Sequence, residues 1–288
     1  MIPLRILLAS AVLFAGTAFA ADAPSATGAT TYGSLREVVR EGRLDARVRL
    51  DEITPGPHTY ALGALADLEG EVTIVDDEIW LSRTDEDGTV VTERMRTSEA
   101  GAAALVAARV DGWTRHSVGQ DVPFEELDAW ILRSALVAGV DTSSAFPFMV
   151  GGFVRDLDWH VIVGDRLPPG ASSHEEHMAT AVRDSLDVTH ATLLGFHSTR
   201  HHGVFTHHTT NTHLHVVMKK PNASGHVDGV TVPAGAWLLL PERAPEVPEE
   251  DPTEAGEATD PTDAGEATEA DDATNTEVGE QEADPEAN

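Results

Sequence analysis

The apolar and polar positions of this chain form mostly short runs with a period of two. Arg47-Val48-Arg49-Leu50 alternates and predicts an edge strand. His58–Leu65 and Val72–Val75 read as strands on either side of an Asp67–Gly70 turn, and Ile79-Trp80-Leu81 follows a turn at Asp76-Asp77-Glu78. Asp85-Glu86-Asp87-Gly88-Thr89 carries the Asp-Gly signal of a tight hairpin. Helical signals are fewer. Ser34-Leu35-Arg36-Glu37 is a capping box ahead of the stripe Leu35, Val38, Val39, with Gly42 as its stop. Asp121 and Pro123 start a second helix, with Phe124, Leu127, Ile131 and Leu136 on one face.

Further along, Phe146–Val150 and Trp159–Val163 predict two paired strands. Ser173 with Glu176 predicts a capped helix in which Met178, Val182 and Leu186 recur every four residues, with His174 and His177 exposed on its first turn. Thr192–Phe196 is a strand, followed by a histidine-rich loop, an apolar strand over Thr212–Met218 and a turn over Lys219–Gly225. Val230-Thr231-Val232 and Trp237–Leu240 close the sheet. Few helices, many short strands and no βαβ rhythm make this an α+β protein built mainly on antiparallel or mixed β-sheet.

The two ends differ in kind from this body. Residues 1–20 have the form of a signal peptide: Arg5, an apolar run Ile6–Phe14, and Ala18-Phe19-Ala20 as the cleavage site. That run is too short to span a bilayer comfortably. Residues 21–31 are a small, polar linker, and 32–242 are the folded body. Residues 243–288 are an acidic tail: 17 of the 49 acidic side chains lie between Glu246 and Glu286, and no basic residue follows Arg243. A segment this acidic and this poor in apolar surface is expected to stay disordered. The remaining 32 acids still outnumber the 19 Lys and Arg, so neither nucleic acid nor an anionic membrane is an expected partner. With no cysteine there is neither disulfide nor thiolate ligand. The mature chain is expected to be exported, periplasmic or secreted.

Candidate chemistry sits in Thr212–Met218. Side chains of a strand alternate faces, so His213 and His215 point the same way, roughly 6–7 Å apart. Chain returning from the Lys219–Gly225 turn brings His226 beside them, a three-histidine set suited to one divalent ion, zinc first, with positions left for water or substrate. A chance His-x-His pair and a loose metal-sequestering loop (His197, His201, His202, His207, His208) are the competing readings. His160, beside Trp159, reads as a packed, hydrogen-bonded histidine.

Leu194-Gly195-Phe196, Gly203-Val204-Phe205, His213-Leu214-His215 and Gly225-His226-Val227, in that order, resemble the acetolactate decarboxylase family, and Asp67-Leu68-Glu69-Gly70-Glu71 is similar to its Leu-Asp-Gly-Glu segment. The resemblance runs from about Tyr32 to Leu240. It implies two lobes, an N-terminal mixed sheet and a C-terminal barrel-like sheet, parting near residues 140–150, with the metal between them. It also implies decarboxylation of 2-acetolactate to acetoin, the substrate's hydroxyl and ketone oxygens chelating the ion as an enediolate forms, and a homodimer. Glu71 takes the place of the family's glutamate near the metal, and Glu69 is a weaker candidate on the same turn. Met149 stands where the family has a carboxylate-orienting arginine, and a thioether makes no bidentate contact with a carboxylate. Arg155 is the nearest replacement, Ala64 occupies a threonine position, and Glu242 is a loose stand-in for a C-terminal glutamate. Alternative readings are a related enzyme on another chelating 2-hydroxy-3-oxo acid and a non-catalytic exported metal-binding protein.

Overall fold

The Ser34 box closes a helix as the sequence predicts. In the computed structural model, which describes residues 28–53 and 57–242, α1 spans Leu35–Glu41. The Ser34 hydroxyl accepts from the Glu37 amide at 3.2 Å, and Gly42 ends the helix in the left-handed region at φ +62°. The expected signal peptide, most of the linker and the acidic tail lie outside the described residues.

The first sheet contains β1 (Thr30–Tyr32), β2 (Val48–Arg49), β3 (Thr59–Leu65), β4 (Glu71–Val75), β5 (Glu78–Thr84), β6 (Val90–Met95) and β7 (Gly101–Arg109). Its order is β1-β7-β3-β4-β5-β6, with β2 on β7, and every pairing is antiparallel. β7 lies centrally, and its run Ala102–Ala108 is buried on both faces, as a continuous apolar strand should be. The alternating run at Arg47–Leu50 yields only the two residues of β2, because fully buried Leu50 opens a one-turn helix, α2 (Leu50–Ile53).

The second sheet holds β8 (Trp113–Ser117), β9 (Phe146–Val161), β10 (Val182–His197), β11 (Thr212–Met218), β12 (Ala223–Thr231) and β13 (Trp237–Pro241). β9, β10, β11 and β12 pair antiparallel in a closed cycle, and β13 joins β9 to β8. Phe146, Phe148, Leu157, Trp159, Leu214 and Val216 form its core, capped by Leu127, Ile131 and Ala135 of α3 (Phe124–Ala138). Leu136, expected on the buried face, is 58% exposed, and Ala135 takes that place. A separate cluster joins the two sheets: Tyr60, Leu62 and Val106 of the first meet Met149, Leu194 and Phe196 of the second.

Three expectations fail here. Phe146–Val150 and Trp159–Val163 are not two paired strands but parts of the single strand β9, which continues through Gly151-Gly152. A Cβ at Gly151 would lie 1.9 Å from the Trp237 ring, so glycine is there to admit the indole, not to end the strand. The helix after Ser173 stops at Met178 (α4, His174–Met178), and Val182 opens β10. His177 is buried, not exposed, with its Nδ1 donating to the Ser173 carbonyl at 2.8 Å.

Candidate metal centre and its cavity

The hairpin β11–β12 turns through residues 219–222, so β12 begins inside the stretch that the sequence assigned to the turn. The register sets His226 directly opposite His215, and strand alternation brings His213 to the same side. Ring centroids lie 5.0 Å apart for His213 and His215, 4.8 Å for His213 and His226, and 5.6 Å for His215 and His226. One nitrogen from each ring falls within 4.8 Å of the other two, and His213 Nε2 is 3.0 Å from His226 Nδ1.

Burial, reinforced by the neighbouring imidazoles, holds all three rings neutral: His213 is pushed down to about 4, and His215 and His226 well below the ordinary value. Neutral imidazole is the form that binds a metal ion. His215 is fully buried, and its Nε2 has no hydrogen-bond partner. Its Nδ1 lies 2.9 Å from Thr73 Oγ1 on β4, and the Ser224 hydroxyl also donates to that oxygen at 2.9 Å. The tautomer that carries its proton on Nδ1, towards Thr73, leaves the lone pair of Nε2 bare, as a ligand nitrogen requires. Three converging neutral rings with an orphaned buried nitrogen fit a cation.

Glu71, at the start of β4, is also buried, with Oε2 3.8 Å from His215 Nε2. Desolvation raises its carboxyl to about 8, against a backbone hydrogen bond from Ile162, so it is protonated at neutral pH. Thr73 and Glu71 come from the first sheet and the histidines from the second, so the site lies where the sheets meet.

His213, His226 and Glu71 line a cavity of about 1130 Å³. Its wall is apolar along Val38, Leu62, Leu105, Ile162 and Phe205, and Ala64 lies on it too. The other sequence candidates lie elsewhere. Glu69 is exposed and faces Arg83 at 3.7 Å. Met149 is packed in the cluster between the sheets. Arg155, six residues beyond Met149 along β9, is ion-paired with Asp121 and is not on the cavity wall. Glu242 sits against Gly112 at the edge of β8.

The sequence reading did not place His160 and Asp228 at the centre, where both line the cavity. His160 does make a hydrogen bond, to Asp228 at 2.8 Å, and Arg183 holds the same carboxylate at 2.6 Å. Its ring, however, also packs 4.8 Å from His226 on the cavity wall. β9 is irregular at Asp156, where φ is +51° and the register with β12 shifts. Val154 and Leu157 both point into the core across this bulge, which reverses the alternation and turns His160 outward. The sequence carries a trace of the bulge: the apolar positions switch from even numbers (Phe146, Phe148, Val150, Val154) to odd ones (Leu157, Trp159, Val161), and Asp-Leu-Asp at 156–158 suits positive φ.

No protein-family model and no curated protein matches the chain. Solved structures do. Alpha-acetolactate decarboxylase from Bacillus subtilis strain 168 superposes with a TM-score of 0.58 at 15% identity, over 74% of this chain and 85% of that one. Acetolactate decarboxylase from Bacillus subtilis subspecies spizizenii gives 0.59 at 17%, with the same coverage. A Staphylococcus aureus protein of unknown function, similar to alpha-acetolactate decarboxylase, gives 0.57 at 13%, over 73% and 83%. At such identities the likeness establishes a shared fold.

Proposed function

We propose that this chain, which has the fold of the acetolactate decarboxylases, is an exported, metal-dependent carboxy-lyase for a chelating 2-hydroxy-3-oxo acid, 2-acetolactate being the first to test. The observation that carries this reading is the convergence of three neutral, buried imidazoles beside a buried carboxyl that is still protonated at neutral pH. His213, His215 and His226 would hold one divalent ion, zinc matching an all-imidazole set best. Such an ion supplies a Lewis acid for the substrate's hydroxyl and ketone oxygens.

The chain's own residues supply the rest. Thr73 and Ser224 fix the tautomer and orientation of His215. Val38, Leu62, Leu105, Ile162 and Phe205 give the cavity an apolar side. Loss of carbon dioxide breaks a carbon–carbon bond and leaves its electron pair on carbon, which must then take a proton. Glu71 holds one where it is needed, and a carboxyl near 8 serves as a general acid at neutral pH.

Met149 in the inter-sheet core and Arg155 on Asp121 leave the family's arginine position without a guanidinium, which favours a relative of acetolactate as the natural substrate. The test is acetoin release from racemic acetolactate by metal-replete protein, run beside its longer 2-hydroxy-3-oxo homologues. Turnover of at least one acid, lost in His215→Ala together with stoichiometric metal, is expected. Tight binding of one ion with no carbon dioxide released from any of them would overturn the reading.

A further inference from the structure

Two arginines on the cavity wall have no counter-charge. Arg36 and Arg40 lie four residues apart on α1, hence on one face of the helix, and both line the cavity that holds His213 and His226. Arg43 and Arg47 are matched to Glu37, Arg94 to Glu78 and Arg183 to Asp228, while Arg115, Arg133, Arg166 and Arg200 lack an ion pair as these two do but do not line the cavity. Among the described residues, no carboxylate lies within ion-pair distance of Arg36 or Arg40. Acids are not scarce here, since the chain carries 49 of them against 19 Lys and Arg. Two acids of α3, Glu125 and Asp128, share the wall, but Asp128 accepts the Asn211 amide at 2.8 Å and neither reaches the guanidinium groups.

The side chains of Arg36 and Arg40 are exposed, and the backbone of Arg36 is held in place. Its amide donates to the Gly203 carbonyl at 2.9 Å and the Leu35 amide to Val204 at 2.8 Å, tying the first turn of α1 to the loop that gives Val204, Phe205 and His207 to the cavity. The guanidinium passes over Gly203, whose φ of +74° requires glycine, and a Cβ there would touch Arg36 Nε and Nη2 at 3.9 Å. The floor of the cavity is thus imidazole and carboxyl, part of its wall is apolar, and α1 supplies two guanidinium groups that make no ion pair. Its 1130 Å³ also exceeds the ~300–1,000 Å³ common for drug-sized ligands.

We infer that the cavity takes a hydroxy acid with a second, distal carboxylate, whose chelating end lies on the histidine cluster and whose far carboxylate is held by Arg36 with help from Arg40. For the position of the chelating end this rests on the metal reading above. The planar guanidinium fork suits a carboxylate, and a charge-assisted pair of this kind changes affinity tenfold or more.

The test is calorimetric binding to zinc-loaded protein of 2-hydroxysuccinate, 2-hydroxyglutarate and 2-hydroxyadipate. Each is set against the 2-hydroxy monocarboxylate of equal length, with glutarate as the control lacking a hydroxyl. At least one diacid is expected to bind ten times more tightly than its monoacid. Arg36→Gln should bring that ratio near one without changing zinc affinity, and Arg36→Lys should keep part of it. Equal binding within every pair, or a ratio that survives Arg36→Gln combined with Arg40→Gln, overturns the inference. The two readings separate in the controls. A diacid preference with no benefit from the hydroxyl would sink the metal reading alone, whereas a hydroxyl benefit without a diacid preference would sink this inference alone.

Discussion

Removing the metal should expose an unusual dependence of stability on pH, because Glu71 and the histidines pull in opposite directions. Glu71 titrates near 8 in the folded protein and near 4.5 when unfolded. Between those values the unfolded chain has lost a proton that the folded chain keeps, so stability falls as pH rises, by ~1.4 kcal/mol per pH unit. His213 has the reverse linkage: neutral when folded down to about 4, it is protonated below 6.5 when unfolded, so its contribution grows with pH up to 6.5 and then levels off. His215 and His226 act in the same sense. At pH 6.5 each unfolded imidazole is still half protonated, so the three histidines outweigh the one acid up to about pH 7, and only above about pH 7.5 does Glu71 alone change. Stability of chelator-stripped protein should therefore peak near pH 7, and relative to Glu71→Gln it should fall by about 1.6 kcal/mol between pH 6.5 and 8, or about 3–6 °C in Tm for a body of this size. Thermal melts of stripped wild-type and Glu71→Gln protein from pH 5 to 9 measure this directly. The variant should rise until about pH 7.5 and then stay flat. A wild-type curve parallel to the variant's between pH 6.5 and 8 would refute the assignment of a buried neutral carboxyl.

Zinc binding at pH 7 should release almost no proton, because the three histidines are already neutral and Glu71 keeps its own as the acid; titrations in buffers of different ionisation enthalpy count it, and release of a full proton that Glu71→Gln abolishes would show that the ion strips the acid. Thr73→Val removes the partner of His215 Nδ1 and should weaken zinc binding roughly 10–100-fold with the fold intact, read by competition with a chelator. Ile131→Ala, which opens a hole beneath α3, should cost ~2–5 kcal/mol in denaturant unfolding. Ser34→Ala should cost about 1 kcal/mol through the lost N-cap and, by loosening α1, should also weaken anion binding measured by calorimetry.

The features legible in the sequence were those fixed by local chemistry. The Ser34 box, the Gly42 stop and the His-x-His strand followed by a returning His226 each depend on a few neighbouring residues, and the fold bears them out. The misses have physical causes. Met178, Val182 and Leu186, four apart, share a side in a helix and equally in a strand, so the spacing could not choose; the β-branched run that follows, Val188, Thr189 and Thr192, belongs to β10. Gly151-Gly152 looked like a break because the indole of Trp237, 86 residues on from Gly151, is invisible locally. Arg155 looked near enough to replace an arginine at position 149, but a strand position also fixes direction, and its partner is Asp121. Arg36 was recognised only as part of a capping box, since the cavity it faces is assembled from both sheets.

The division of labour across the seam between the sheets has a practical meaning. The whole cation cradle belongs to one hairpin, while the acid and the hydroxyl that steadies His215 arrive from a strand more than a hundred residues earlier in the chain. On the proposed reading, loosening the contact between the layers would leave a molecule that still captures an ion, though more weakly without Thr73, but is stripped of its proton source. Sequestration would tolerate a poor fit between the layers; turnover would need two halves correctly docked.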